Sequence, residues 1–572
     1  MKNINTKNNI KKKAVTLSEL LFLIVVICSF ISIAAAGSSE KNKVTEPVLA
    51  PENPDFVKYQ TGKKYAPTAP SLKEHKTGFI PSPVDLSHLS PISTVKKSAP
   101  AYYDLRTMNR VTSVKDQGDA GVCWAFTVYG SLESYLMPGE NRDFSENNMK
   151  NLLSYAYPEG FDRNPNDGGN ALMATAYLSR GSGPVDETDD PYNIYSGVSP
   201  QNLPIQKHIR DVLFIPDRMS SLDNNEIKSA VMKYGALHTT MFCQDEDPYY
   251  SSTNYSYYYK GSSMSNHGVC IVGWDDNFDR NNFSKVPPGN GAFIVKNSWG
   301  TDWGDNGYFY VSYYDSNIGI YNMVFIAEAT DNYKNIYQYD PLGCTGLFGY
   351  EIPTAWCANI FTAKSDETLK AVSFYTVDSN CNYEVYIYTN PEPNNPISRE
   401  GPVLSKSGTI PIAGYHTVPL GSEVQLKAGQ KFSVVLKLKT PNFGYPIALE
   451  LPTDLSSKAT ANLQESFISD DGRTWYDIAK YLSGTNVCIK AFTTNSGSVL
   501  PVFPGYTNPP TDLNQDGLYE DVNGNGILDF DDIVAYYENM GWIGENLSIS
   551  FFDYNKNGLI DFDDVVKLYS ML

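Results

Sequence analysis

Three short strings hold the side chains best suited to covalent chemistry. The first is Val114-Lys115-Asp116-Gln117-Gly118-Asp119-Ala120-Gly121-Val122-Cys123-Trp124-Ala125-Phe126. Turn-forming Gly and Asp residues lead there into a helical pattern from Cys123 towards Leu136, with Phe126, Leu132, Tyr135 and Leu136 near one face. Cys123 thus falls at a helix N-terminus, where unpaired N–H groups and the helix dipole favour a thiolate. A thiol also needs an imidazole partner to be a good nucleophile at neutral pH, and the chain has six histidines. His75 and His88 lie in a leader segment, His416 in a strand-rich region, and His208 after a polar, turn-rich stretch. His238 sits in Ala236-Leu237-His238-Thr239-Thr240-Met241 without a polar partner motif and reads as structural. His267 heads Asn266-His267-Gly268-Val269-Cys270-Ile271-Val272-Gly273-Trp274, a strand-like run opening beside a glycine. In the third string, Phe293-Ile294-Val295-Lys296-Asn297-Ser298-Trp299-Gly300, Asn297 stands at the end of another strand.

A second kind of chemistry is written at the C-terminus. Asp521, Asn523, Asn525, Asp529 and Asp532 place oxygen side chains at loop positions one, three, five, nine and twelve, with Gly526 at six for the sharp turn. Asp553, Asn555, Asn557, Asp561 and Asp564 repeat those offsets around Gly558, and Ile527 and Leu559 would each add a backbone carbonyl. The pattern predicts about two calcium ions, with Asp replacing the usual bidentate Glu at position twelve. Each loop feeds an apolar helix through Ile533, Val534 and Tyr537 or Val565, Val566 and Leu568. Asp512-Leu513-Asn514-Gln515-Asp516-Gly517 just upstream reads as a partial third copy.

The elements that must position these groups fall into compositional zones. The 572 residues are 41% hydrophobic and 19% charged, which predicts packed domains rather than a disordered chain. A net charge of −19 argues against a nucleic-acid partner and suits a protein that binds cations. Lys2, Lys7 and Lys11 to Lys13, an apolar run from Leu20 to Ala36 and Ala34-Ala35-Ala36-Gly37 predict an export signal over 1–36 and an extracytoplasmic or surface-attached protein. Residues 37–100, rich in Pro, Lys and Ser, read as an extended leader without helical period. Residues 101–329 mix helices with dense strands. Residues 330–495 carry short alternating strands that suggest an antiparallel β-sandwich. A linker over 496–510 precedes the loop pair of 511–572. Eight scattered cysteines make no disulfide scaffold, though Cys344 with Cys357, or Cys381 with Cys488, could pair after export. Cys270 reads as core.

These strings resemble the papain-like cysteine proteases. Gln117-Gly118 precedes Cys123-Trp124-Ala125-Phe126 as in the family's nucleophile motif, and Asn297-Ser298-Trp299-Gly300 is intact and followed by Trp303-Gly304-Asp305-Asn306-Gly307-Tyr308. Asp104-Leu105-Arg106 resembles the start of the mature enzymes, and Asn166-Asp167-Gly168-Gly169 their substrate-backbone strand. The resemblance implies an α+β multidomain chain with a two-lobed protease, one lobe helical and one a β-barrel. It also implies that Cys123 attacks the peptide carbonyl, His267 moves its proton, Asn297 orients the ring beneath Trp299, and Gln117 helps form the oxyanion hole. Gly168, Gly169 and the Asn266 carbonyl would line the substrate, and catalysis would need no cofactor. The segment Gly78-Phe79-Ile80-Pro81-Ser82-Pro83-Val84-Asp85, with the following sandwich, resembles microbial members that carry a lectin-like domain. The paired loop-helix pattern resembles a dockerin, which implies a cohesin-bearing scaffold as partner, beside a peptide or protein substrate and surface glycans. The string KKKAVTLSELL also resembles a type IV prepilin leader.

Departures from the family pattern are specific. Ala120 and Asn166 stand where the family has two cysteines, so one staple is absent without leaving an orphan thiol. Val122 replaces a small residue beside the nucleophile, which predicts a tighter cleft. Asn297 lies 174 positions after Cys123, beyond the family's spacing of about 130–150, and the Asp276-to-Asn290 loop can hold the excess. No helical inhibitory propeptide is recognisable in 37–100. The competing reading is a surface adhesion or carbohydrate-binding protein built on an inactive peptidase-like scaffold.

Overall fold

The computed structural model describes residues 46–65, 77–90, 99–244, 248–495, 500–514 and 516–572. The predicted export signal, its prepilin-like string, and His75 lie outside the described residues. Among the described residues no helix is long and apolar enough to cross a membrane.

The leader is not simply extended. Helix α1, Pro54–Tyr65, begins where the Asn53 Oδ1 accepts the Asp55 N–H at 3.0 Å, with proline in its first turn. Its apolar spacing is weak because, among its described side chains, Phe56 alone is fully buried, so hydrophobic period could not announce it. The Asn-Pro-Asp start signal could have.

Three helices build the next layer. Helix α2, Cys123–Leu136, is buried over nearly its whole length, which blurs the one-faced pattern read from sequence. Trp124, Ala125, Val128, Tyr129 and Leu132 pack against Phe144 and Met149, while Phe126 turns to Tyr192 and Ile194. Helix α3, Glu146–Leu152, is capped by the Ser145 hydroxyl. Helix α4, Ala171–Ser179, is capped by the Asn170 side chain, which takes two backbone N–H bonds.

Opposite them lies an antiparallel sheet. Its strands are β1 (His208–Ile215), β2 (Leu237–Met241), β3 (His267–Asp275), β4 (Ala292–Lys296), β5 (Tyr308–Ser312) and β6 (Ile320–Glu328), in the order β1-β6-β2-β3-β4-β5. Helix α5, Asn225–Tyr234, packs Ile227 and Val231 into the same core. The sheet does not stop at the boundary read from composition. Gly414–His416, deep in the C-terminal half, pair with Asp211–Leu213 of β1. A glycine at 414 permits this, because a Cβ there would meet the Val212 carbonyl oxygen at 2.0 Å.

Residues 335–495 are β-rich, and every pairing among these strands is antiparallel. Thr354–Thr362, Cys381–Thr389, Leu404–Ile410 and Lys431–Lys439 belong to one sheet, Glu367–Thr376, Gly414–Leu426 and Ile489–Asn495 to another. Their inward residues, among them Leu369, Phe374, Val385, Leu436 and Ile489, share one core.

The expected disulfides are absent: Cys344, Cys357, Cys381 and Cys488 all remain thiols. Cys357 and Cys381 belong to this β core, whereas Cys344 and Cys488 belong to the core beneath α2 and α4. Each suggested pair would have to join two different cores.

Residues 500–572 gather around a core of their own, made by Phe503, Val522, Ile533, Tyr536, Phe552 and Leu568. This module holds helices α6 (Phe530–Asn546) and α7 (Phe562–Tyr569). Of the apolar helix residues, Val534, Tyr537 and Val566 are exposed.

Candidate active site

The helix that starts at Cys123 and the strand that starts at His267 meet at their first residues. The Gly268 N–H, next in chain after His267, donates to the Cys123 Sγ at 3.3 Å. Glycine at 268 suits this approach, since a Cβ there would lie 3.1 Å from the Thr127 hydroxyl. The His267 Nε2–H donates to the Asn297 Oδ1 at 2.9 Å, and that oxygen also takes the Ser298 N–H at 2.9 Å. The Trp299 ring lies 4.8 Å from the imidazole, tilted by 31°. Cysteine, histidine and asparagine therefore reach one place from α2, β3 and the end of β4.

Gln117 is held at the same place. Its Nε2 donates to the Ala120 carbonyl at 2.7 Å, and its Oε1 accepts the Ser298 hydroxyl at 2.7 Å. Its backbone N–H donates to the Ser298 carbonyl at 2.8 Å. Ser298 is the residue that sequence reasoning passed over: it fastens the glutamine to the strand end that bears Asn297. Its position inside Asn297-Ser298-Trp299-Gly300 was the available signal. The two loops that lack the family cysteines are joined by backbone instead, through the Gly121 N–H and the Asn166 carbonyl at 2.9 Å.

The other histidines are used elsewhere. His238 is wholly buried against the Thr127 hydroxyl at 2.8 Å, and burial lowers its pKa to about 3, so it stays neutral. His88 bonds the Val377 carbonyl, His208 the Asn332 side chain and His416 Asp211.

The residues expected to line a substrate hold the leader. The Gly169 N–H donates to the Gly78 carbonyl at 2.9 Å, and the Ile80 N–H to the Gly169 carbonyl at 3.0 Å. The Phe79 N–H donates to the Asn266 carbonyl at 2.9 Å. Phe79 and Gly169 form a parallel bridge, and the Phe79 ring rests on Tyr321 at 5.1 Å. Gly168 lies beneath, where a Cβ would strike Ile80 at 2.6 Å, while one on Gly78 would strike the Gly121 carbonyl oxygen at 2.0 Å. Only glycine passes that close to the loop before the nucleophile.

This cover reverses the expected ionisation. Cys123 is fully buried, and desolvation pushes its thiol up to about 11. Backbone N–H groups of Gly268, Gly78 and Trp124 pull the other way without overcoming it. The helix terminus supplies the field predicted for a thiolate, but burial opposes a charged sulfur.

The sequence pattern of the papain family cysteine proteases matches residues 99–328, and that of a lectin like domain matches 336–493. Residues 99–328 are a papain-family cysteine protease domain. Cysteine proteinase 15A of Pisum sativum is 30% identical over 239 residues, which are 41% of this chain and 64% of that relative. The chain thus spans less than two thirds of that relative's length. The crystal structure of the cysteine protease and lectin-like domains of Cwp84, a surface layer associated protein of Clostridium difficile, superposes with a TM-score of 0.67 at 27% identity. That match covers 80% of this chain and all of the other. A second clostridial Cwp84 structure, a cysteine-to-alanine variant after propeptide cleavage, gives a TM-score of 0.61 at 28% identity, covering 69% of this chain and 99% of that one. The protease domain here is therefore joined to a lectin-like domain, as in the first of those structures.

Around the two C-terminal loops the carboxylates are crowded. Asp521 takes the N–H groups of Asn525 and Gly526 on its two oxygens, both at 2.9 Å. Asp532 takes those of Asn523 at 3.0 Å and Asp529 at 2.8 Å. Asp553 and Asp564 repeat this with Asn557, Gly558, Asn555 and Asp561. Gly526 and Gly558, with φ of +92° and +85°, make the turns. Asp521, Asp532 and Asp564 are fully buried, and no lysine or arginine pairs with them among the described residues. Burial and the nearby charges of Asp521 and Asp529 raise the Asp532 pKa. Oxygen donors, no sulfur or imidazole, and buried negative charge without a counter-ion fit a hard divalent cation.

Proposed function

We propose that this chain is a latent secreted or surface-attached cysteine endopeptidase, held off by its own leader and tethered through its C-terminal module. One observation supports the catalytic reading: His267 bonds Asn297 while the neighbouring Gly268 N–H bonds the Cys123 sulfur. In this reading His267 takes the thiol proton through Nδ1, because Nε2–H is committed to Asn297. The thiolate then adds to the peptide carbonyl. Gln117 and the Cys123 N–H stabilise the oxyanion. His267 returns the proton to the leaving amine, and activates water against the thioester. Gly169 and the Asn266 carbonyl, which now pair with the leader, would bind the substrate backbone once it leaves. The propeptide named for the Cwp84 structure supports the same sequence of events.

Calcium would be held by Asp521, Asn523, Asn525, the Ile527 carbonyl, Asp529 and Asp532, and by Asp553, Asn555, Asn557, the Leu559 carbonyl, Asp561 and Asp564. Its contribution is structural: neutralising buried carboxylates so that the loops can close. A duplicated apolar stripe supports docking onto a cohesin-like scaffold. Ile527, Phe530, Val534 and Tyr537 are exposed, and so are Leu559, Phe562, Val566 and Tyr569, each 32 positions on. Tyr537 and Phe562 meet edge to face at 6.2 Å, which joins the stripes into one patch. The lectin-like domain supports surface glycans as a further ligand class.

Cleavage of a fluorogenic peptide by leader-processed protein tests the catalytic reading. Cys123→Ala is expected to lower kcat by at least about 10⁴-fold. Equal activity in that variant rejects it in favour of a peptidase-like adhesion scaffold.

A further inference from the structure

The opening loop of the C-terminal module carries a cluster that the two calcium loops do not use. Asp512, Asp516 and Glu520 each offer a carboxylate oxygen within 4.8 Å of the others. Among the described residues no lysine or arginine pairs with any of them. Residues 500–572 hold only two basic side chains, Lys556 and Lys567, against thirteen acidic ones.

The decisive member is Glu520. Only 3% of its surface is exposed, and its Oε2 is buried without a hydrogen-bond partner among the described residues. A buried carboxylate oxygen with no donor, on a carboxylate that gathers with two others, is a costly arrangement that native chains rarely keep. Asp529 and Asp561, which hold the ninth place of the other loops, cap helices α6 and α7. Glu520 holds the ninth place counted from Asp512 and caps nothing, because Asp521 follows at once and opens the next loop.

We propose that Asp512, Asn514, Asp516 and Glu520, with the Leu518 carbonyl, form a third site for a hard divalent cation, of which calcium is the best match. All of these ligands are oxygens, and neither sulfur nor imidazole is at hand to favour a transition metal. The site stands on the orphaned Glu520 oxygen and needs neither the protease reading nor occupancy of the other two loops. Its place gives it a consequence. Thr511 and Asp521 bridge by two backbone hydrogen bonds of 2.9 and 3.2 Å, and Phe503 packs on Trp542 and Phe552. A cation there would fasten the incoming linker to the first calcium loop.

Counting bound calcium by equilibrium dialysis on full-length, chelator-stripped protein tests this. The double variant Asp516→Asn/Glu520→Gln is expected to bind one ion fewer than the native chain, with its helical signal in calcium unchanged. An equal count in the two proteins overturns the site, whatever the total. Should the double variant lose its helical signal, the exposed Asp516→Asn alone is titrated instead. At least tenfold weaker binding in one class of sites supports the proposal, and an unaltered isotherm overturns it. Asp532→Asn and Asp564→Asn, counted in parallel, report on the other loops separately.

Discussion

The cleft and the C-terminal module hold their polar groups by opposite means. In the cleft, imidazole, amide, hydroxyl and backbone groups bond one another, and the chain even supplies an occupant, Gly78 to Ile80. In the module, carboxylates gather, several of them buried, without a counter-charge among the described residues. The first region is occupied and must lose something to work. The second is incomplete and must gain something to be stable. Like charges in a low-dielectric interior repel strongly unless a cation joins them, whereas neutral hydrogen-bonded groups do not.

The sharpest way to break the contrast is to unseat the leader. A side chain at residue 78 has no room beside the Gly121 carbonyl. Gly78→Val is therefore expected to raise peptide cleavage by the uncleaved chain about 100-fold, roughly 2.7 kcal/mol of lost inhibition. A rate equal to that of the native uncleaved chain would show that the leader does not restrain the enzyme.

Burial also bears on the sulfur. With its pKa pushed up to about 11, the covered thiol is ionised only on the order of one part in a thousand at pH 8. Burial favours the neutral form, so alkylation of the intact chain should climb tenfold per pH unit and level off only near pH 11. After leader removal the site regains water, and iodoacetamide should react at pH 8 about 50-fold faster. Identical pH profiles before and after processing would mean that burial by the leader is not the cause.

A smaller effect separates positioning from chemistry. Ser298→Ala removes the hydroxyl that the Gln117 Oε1 accepts while leaving Asn297 its backbone and imidazole bonds. The expected loss is about 10-fold in kcat with KM unchanged, near 1.4 kcal/mol. A change confined to KM would place Ser298 in substrate binding instead.

What was legible in the sequence follows the same division. The meeting of Cys123, His267 and Asn297 was legible because each stands at an element's end, and element ends leave Gly and Asp signatures. The helix from Cys123 was legible for the same reason. Helix α1 was not, since one buried Phe56 makes no period, and only its Asn53-Pro54-Asp55 start betrays it. The pairing of Gly414–His416 with β1 was out of reach, because two strands about 200 residues apart carry no local mark of their partnership. Nor could spacing foretell that the cysteines would be split between two cores. The loops at 521 and 553 announced their donors, yet which side chains would be buried without a partner, Glu520 above all, depends on packing that no template encodes.

The smallest expected change in cleavage comes from the module, and its size is the point. Chelation should strip the charge balance from Asp521, Asp532, Asp553 and Asp564, and the helices that begin at Phe530 and Phe562 depend on those same carboxylates. Asp532 and Asp564 bond the N–H groups of Asp529 and Asp561, the residues that cap α6 and α7. Repulsion among the aspartates should therefore melt both helices together, read as a loss of far-ultraviolet helical signal that added calcium restores. The cleft contains none of these groups, so peptide cleavage by processed protein should stay within about twofold, under about 0.5 kcal/mol. An unaltered helical signal would mean that the loops close without a cation, and the contrast between a self-sufficient cleft and a dependent tail would fail at its second half.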